Sequence, residues 1–196
     1  MATDFIYDWE KSLYQLAMPD STMQESELKA GSGSAQLLEE AYQLTSQITR
    51  ENSKTFFFAS ALLPEEKRKA IRALYAFCRV SDDLVDRNRS DPREALHRWH
   101  HPLVGKSPDE NDLIALAWAD TRERYEIPWH YSEQLIHGVS QDLSKFRYKD
   151  FNELAHYSYG VASTVGLMSM HIIGFNNHAA YTYAIRLGVA LQVTNI

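Results

Sequence analysis

Apolar residues recur along this chain at steps of three and four, the period of helices with one buried face. Leu37, Leu38, Ala41, Leu44 and Ile48 form the first clear run, with Ser34 placed to cap it. The pattern breaks at Asn52-Ser53-Lys54, ahead of the aromatic triplet Phe56-Phe57-Phe58. Pro64 followed by Glu65 and Glu66 predicts the start of a long helix, because proline suits a first turn and acids suit the N-terminal dipole. Further helices are predicted from Arg93 to Trp99, ending near Pro102, then over about residues 111–125 and 131–146. Asp150 and Glu153 resemble a capping box and predict a helix through about Ile173, and a last helix begins near His178. No period-two run long enough for a useful strand occurs, so the expected fold class is all-α.

Residues 1–34 read as an extension to that fold. Phe5, Ile6, Trp9, Leu13 and Leu16 share one arc of a short helix whose other face carries acids, which favours docking on protein over lipid. Gly31-Ser32-Gly33-Ser34 reads as a flexible linker, so the folded domain is expected over residues 35–196. The sequence stops in mid-helix at Leu191-Gln192-Val193-Thr194-Asn195-Ile196, and is therefore read as a fragment of a longer protein.

The long helix carries the most informative chemistry. At about 100° per residue, Tyr75, Arg79, Asp82 and Asp86 fall on one narrow stripe. Ile71, Leu74, Phe77, Val80, Leu84 and Val85 occupy almost every other direction, the pattern of a buried helix. The two stripe carboxylates are thus expected to face an internal cavity, where they need a cation or a shifted pKa. Carboxylates one turn apart suit a hard cation such as Mg²⁺ that shares its oxygen ligands with phosphates. Arginine and tyrosine on the same stripe suit the phosphate oxygens. The competing reading is an exposed helix on which Arg79 simply pairs with Asp82 or Asp83.

The net charge of −6 is concentrated at the start: six acids against two lysines give −4 over residues 1–34. The remainder has no basic stripe, so nucleic acid is not an expected partner. The single Cys78, on the helix expected to be buried, fits a reducing compartment. No run approaches the roughly 18–20 apolar residues of a membrane span. A cytoplasmic protein, soluble or peripheral to membranes, is expected.

Four other segments bear on chemistry. Ser53-Lys54-Thr55 offers hydroxyls and an ammonium at a helix junction, suited to phosphate. In the stretch from Tyr157 to Met170, Gly160 and Gly166 interrupt a helix at roughly 1 kcal/mol each, so a close neighbour or a long ligand must want the missing side chains. Val161 and Val165 lie one turn apart there and suit an apolar tunnel below Tyr157. Gly188, Gln192 and Asn195 recur on the last helix, and Asp142 lies within Gly138–Leu143 with no evident charge partner.

Taken in this order, the segments resemble the squalene/phytoene synthase family, in detail its phytoene-forming branch. The resemblance covers about residues 35–196. It implies an all-α isoprenoid synthase fold in which two aspartate motifs face each other across a central cavity and hold Mg²⁺, or Mn²⁺ in its place, on the diphosphates of two prenyl chains. By matching position, Asp82 and Asp86 are the first metal motif, and Arg79, Ser53, Lys54 and Tyr75 bind diphosphate. Tyr157 lies near the reacting carbons, Gln192 and Asn195 line the polar mouth, and Phe56, Val161, Val165, Ile173 and Leu191 border the apolar cavity. The implied reaction joins two geranylgeranyl diphosphates head to head through a cyclopropyl intermediate, without a nicotinamide cofactor. The alternatives are a squalene or dehydrosqualene synthase using farnesyl diphosphate, and an inactive relative serving as a scaffold. The family's second aspartate motif follows the Asn195-Ile196 position and is not in this sequence, which puts activity of this chain alone in question. Self-association through an apolar face around Val189, Leu191, Val193 and Ile196 is expected, as is membrane contact for product release. A rival from another class, a di-iron bundle, would use Glu94 with His97 and Glu153 with His156.

Overall fold

The computed structural model describes residues 7–18, 34–86, 91–104, 111–145 and 147–196. The expectations placed on Phe5, Ile6, residues 31–33 and Phe146 lie outside them. All regular structure among the described residues is helical: α1 (Asp8–Ala17), α2 (Ala35–Asn52), α3 (Lys54–Ser60), α4 (Glu65–Asp86), α5 (Pro92–Val104), α6 (Leu113–Arg124), α7 (Trp129–Gln141), α8 (Phe151–Ser158), α9 (Thr164–Ile173) and α10 (Ala179–Asn195). A π-helical turn, Tyr159–Ser163, joins α8 to α9 without a break. The chain divides into two compact units, Ser26–Ile127 and Met1–Glu25 with Pro128–Ile196.

In the first unit α2, α4 and α6 pack on one another. Small residues at the seam, Ala41, Ala73 and Ala117, let the backbones approach, with Tyr42 and Leu116 filling the space around them. Phe77 is fully buried and stacks on Trp118 with centroids 4.9 Å apart. Burying a Phe-sized side chain contributes about 1.5–3 kcal/mol. Ser34 caps α2 as expected, its Oγ accepting from Leu37 N–H at 3.2 Å. Ser53 closes α2 through its own N–H to the Thr49 carbonyl (2.9 Å) and opens α3 by accepting from Phe56 N–H (3.3 Å). One residue thereby ends one helix and begins the next.

The short α3 is held by a residue the sequence reading passed over. Arg72 on α4 is buried, and its guanidinium donates to Ser60 Oγ (3.0 Å), Ser46 Oγ (2.9 Å) and the Phe57 carbonyl (3.0 Å). It also lies 3.9 Å from the Phe57 ring centre. Burial pulls its pKa below the usual range, with Arg68 adding to the effect. Seven residues are too few for a helix to be stable alone, so this lock fixes α3 against α2 and α4. The signal was present: a cation between Ile71 and Ala73 on an otherwise apolar arc.

The second unit is built on closer contacts. A Cβ at Gly160 would lie 3.0 Å from Gly138 Cα, and one at Gly138 only 2.8 Å from Gly160 C. At Gly188 it would lie 2.4 Å from Ser163 Cα. The π turn therefore presses its backbone against both α7 and α10. The helix expected over 131–146 ends at Gln141, where Asp142, Leu143 and Ser144 fold into tight turns on the Val139, Ser140 and Gln141 carbonyls. Gly174, at φ 99°, ends α9. The short helix expected to carry Trp9, Leu13 and Leu16 is α1, and it packs on α8 and α10.

Candidate functional site

The first half of α4 is enclosed, with Ala70 to Leu74, Ala76 and Phe77 buried. Its last turns are not. Val80, Leu84 and Val85 are half-buried, and Asp82 and Asp86 are exposed. The expectation that these carboxylates face an enclosed cavity is corrected here. The buried seam with α2 and α6 centres on Ala73 and Phe77, and farther along α4 Trp99 of α5 donates its Nε1–H to the buried Ser81 Oγ (2.9 Å). Cys78, expected to be buried, is half-buried, and desolvation of its sulfur still pushes the thiol pKa up.

Around this open end the structure gathers several of the expected residues. Phe56 stacks on Tyr75, centroids 5.2 Å apart and planes at 23°. Burial raises the Tyr75 phenol, while the Arg79 charge and a hydrogen bond with Ser53 pull it back, and Asp82 and Asp83 raise it again. Ser53, Phe56, Tyr75, Arg79 and Asp82 thus act on one small region where α3 begins against α4. Arg79 Nη2 donates to Asp83 Oδ1 at 2.6 Å, the pairing of the competing reading. Its Nε is buried without a hydrogen-bond partner among the described residues. A buried guanidinium N–H left unmade is costly, so an anion arriving there would satisfy it. Lys54 is exposed and lines a groove of about 1000 Å³ with Ser46, Arg50, Phe57 and Phe58, a lining that includes none of Ser53, Tyr75, Arg79 and Asp82.

The second unit carries a different kind of site. Between α9 and α10 runs an apolar groove of about 590 Å³, lined among others by Val165, Gly166, Ile173, Ala184, Leu187 and Leu191. Three expected cavity residues, Val165, Ile173 and Leu191, are therefore brought together. Val161 is not part of this lining; its Cγ1 would lie 3.1 Å from a Cβ at Gly138, so it packs toward α7. Gly160 and Gly166 differ in their surroundings. Gly160 permits a close helix neighbour, whereas a Cβ at Gly166 would meet only ordinary contacts, 3.7 Å from the Ala184 carbonyl oxygen.

Tyr157 is buried with its ring 5.1 Å from that of Tyr148. Burial raises the Tyr148 phenol, the Asp142 charge adds to this, and its hydrogen bond with Tyr157 opposes it. Asp142 thus belongs to the surroundings of this tyrosine pair. Gln192 is half-buried and Asn195 exposed. Of the apolar face expected near the end of the chain, Leu191, Val193 and Ile196 are exposed but Val189 is buried; the exposed face instead extends through Leu187 and Tyr183. Val189 is enclosed because it lies on the side of α10 that includes Ile185 and Gly188, against the π turn.

The residues of the di-iron alternative have other partners. Glu153 pairs with Lys145 Nζ (2.7 Å) and accepts from Lys149 N–H, and Glu94 lies 4.0 Å from Arg98. His156 Nδ1–H donates to the Asn152 carbonyl (2.8 Å), leaving Nε2 to accept from the Ser12 hydroxyl (3.0 Å). Among the described residues no three His, Cys, Asp or Glu side chains assemble to hold a metal. None of the described helices is long and apolar enough to cross a membrane.

Residues 49–196 match the pattern of the squalene/phytoene synthase family. The chain is 34% identical over 202 residues to a chloroplastic phytoene synthase of an Oncidium hybrid cultivar, covering 95% of this chain and 49% of the relative. It is 38% identical over 168 residues to phytoene synthase 1 of Zea mays, covering 81% of this chain and 41% of the relative. The chain thus spans about half the length of the curated relatives it matches or less. Among solved structures, a dehydrosqualene synthase in complex with a ligand superposes with a TM-score of 0.72 at 29% identity, over 82% of this chain and 56% of that one. A squalene synthase from Alicyclobacillus acidocaldarius gives 0.72 at 25% identity, over 81% and 60%. This all-α chain belongs to the squalene/phytoene synthase family.

Proposed function

We propose that this chain supplies the first aspartate motif and part of the prenyl-binding surface of an enzyme that condenses two geranylgeranyl diphosphates head to head into phytoene. The observation that carries the reading is the cluster at the open end of α4, where Ser53, Tyr75 and Arg79 adjoin exposed Asp82. Hydroxyl and guanidinium donors beside carboxylates match a diphosphate that arrives with its counter-cation.

The residues fit Mg²⁺, or Mn²⁺, in a particular way. Asp82 and Asp86, one turn apart on one helix, would supply two oxygen ligands to a cation whose other ligands are water and substrate phosphate. When bound, the ion would neutralise charge on the departing diphosphate. Arg79 stabilises the same developing charge, its unpartnered Nε–H turning to the anion while Asp83 holds the other end of the guanidinium. Ser53 and Tyr75 orient the diphosphate by hydrogen bonds, and the stacked Phe56 keeps that tyrosine in place. Val165, Gly166, Ile173 and Leu191 provide an apolar wall suited to a prenyl chain. Proton loss ends the sequence that yields phytoene, so no reductant is required. The product is a hydrocarbon insoluble in water, and release at a membrane surface follows from that chemistry.

The test is incubation with Mg²⁺ and equal amounts of the twenty-carbon and fifteen-carbon diphosphates, reading diphosphate release and product mass. It is run on this chain and on the longest natural protein that contains it. A forty-carbon product from the longer protein is expected, with the 196-residue chain binding substrate and failing to turn it over. A thirty-carbon product would move the protein to the squalene or dehydrosqualene branch. Undiminished rates in Asp82→Ala or Asp86→Ala would remove the assigned motif.

A further inference from the structure

The helix α1 precedes the stretch that matches the family pattern, which begins at residue 49. It is nevertheless tied to three other helices of its unit. Glu10, only 4% exposed, accepts two hydrogen bonds from Arg186 of α10, from Nε at 2.8 Å and from Nη2 at 2.9 Å. Ser12 donates to His156 of α8. At the end of α1, where helix carbonyls lack intrahelical donors, Leu16 O accepts from Gln134 Nε2 (2.9 Å) and Ala17 O from Tyr131 Oη (3.0 Å), both on α7. Leu13 and Ala17 are fully buried in the seam between these ties.

The Glu10–Arg186 pair stands apart from an ordinary surface ion pair. It is bidentate, and its carboxylate side is almost completely desolvated, so losing the partner leaves a buried charge. Arg186 lies in the middle of the same helix that gives Ala184, Leu187 and Leu191 to the apolar groove. Whatever holds Arg186 therefore holds one wall of that groove.

We infer that α1 is a clamp that sets the position of α10, and that Glu10 is a positioning residue for the groove wall. The inference about the clamp rests on the contacts above; its bearing on substrate rests on the prenyl reading of the groove. Side-chain packing alone would make α1 part of one cooperative core, whereas a clamp acting through one ion pair on one helix has a local signature.

The test is hydrogen exchange followed by peptide on the 196-residue chain and its Glu10→Gln variant. Glutamine preserves the N3 side chain that can reach back to the Tyr7 N–H, so the substitution removes the ion pair and spares the cap. Exchange about tenfold faster in α10, with α7 unchanged, is expected. Arg186→Lys, which keeps the charge and loses the bidentate geometry, should give an intermediate increase. Unchanged exchange in α10, or an equal increase across α7, α8 and α10, overturns the clamp. A second arm measures binding of geranylgeranyl thiolodiphosphate with Mg²⁺ by calorimetry. Wild-type binding weakened several-fold in Glu10→Gln extends the clamp to the substrate, and unchanged affinity overturns that extension. An analogue that fails to bind even the wild type counts against the prenyl reading, and the exchange result still decides the clamp.

Discussion

The unit containing α2 to α6 and the unit containing α7 to α10 are both helical, yet their sites are made by opposite means. In the first, chemistry is carried by what side chains bring: hydroxyls at Ser53 and Tyr75, a guanidinium at Arg79 and carboxylates at Asp82 and Asp86. In the second, it is carried by what side chains leave out. Gly166, Ala162, Ala180 and Ala184 open the groove between α9 and α10, and Gly160 and Gly188 let the π turn approach its neighbours. A polar site built this way tolerates changes in volume but not in charge. An apolar groove of this kind responds the other way, because interiors and seams are close-packed.

The sharpest test of that difference is Gly188→Ala. The added methyl would sit 2.4 Å from Ser163 Cα, against backbone that cannot rotate away. A loss of about 3 kcal/mol in denaturant unfolding is expected, at the upper end of ordinary overpacking. Wild-type stability in this variant would show that the seam relaxes and would break the contrast with the polar unit.

Next comes Asp82→Asn, nearly isosteric and differing by one charge. Mg²⁺-dependent binding of inorganic diphosphate, measured by calorimetry, should fall about hundredfold, which corresponds to about 2.7 kcal/mol. Leu187→Ala, on the groove wall, should leave that binding unchanged. An equal loss in both variants would mean that the two sites are not divided as described.

Arg72→Leu tests whether the polar unit depends on a buried lock. It leaves Ser46, Ser60 and the Phe57 carbonyl without the guanidinium they share, and a loss of about 2 kcal/mol in unfolding free energy is expected. Weaker diphosphate binding should accompany it, because α3 carries Phe56 and its cap is Ser53. Full stability in Arg72→Leu would remove that role.

The smallest effect separates the two kinds of glycine. Gly166→Ala meets nothing closer than 3.7 Å and improves helix propensity, so a gain of up to about 1 kcal/mol is expected by thermal unfolding. The same methyl narrows the groove, so affinity for a twenty-carbon chain should drop while stability rises. Loss of stability here would place Gly166 with Gly188 as a packing residue.

Most of the helices, their order and most of their starts were legible in the sequence, because capping residues and apolar periodicity act over one or two turns; the seven-residue α3 was not. Ser34 and Asp150 occupy the cap positions their chemistry predicted, and Ser53, read only as a break, also caps a helix. The stripe from Tyr75 to Asp86 was legible for the same reason, since spacing on a helix fixes which residues share a face. Exposure was not legible. An arc of apolar residues shows that a helix can be buried, but which turns are covered depends on where neighbouring helices end, and α4 extends past the seam that buries Ala73 and Phe77. The same limit explains Val189 and Val161, whose surroundings come from helices distant in sequence.

What the sequence determined by itself is the helical class, the local breaks and the inventory of hydroxyl, cationic and carboxylate groups on each helix face, all set by interactions within a few residues. The tertiary structure decided the rest. It assigned Gly160 to packing and Gly166 to the groove, and joined Glu10 to Arg186 across 176 positions of sequence. Those outcomes depend on which backbones come within contact distance. That is a property of the packed chain as a whole, and no local pattern of residues encodes it.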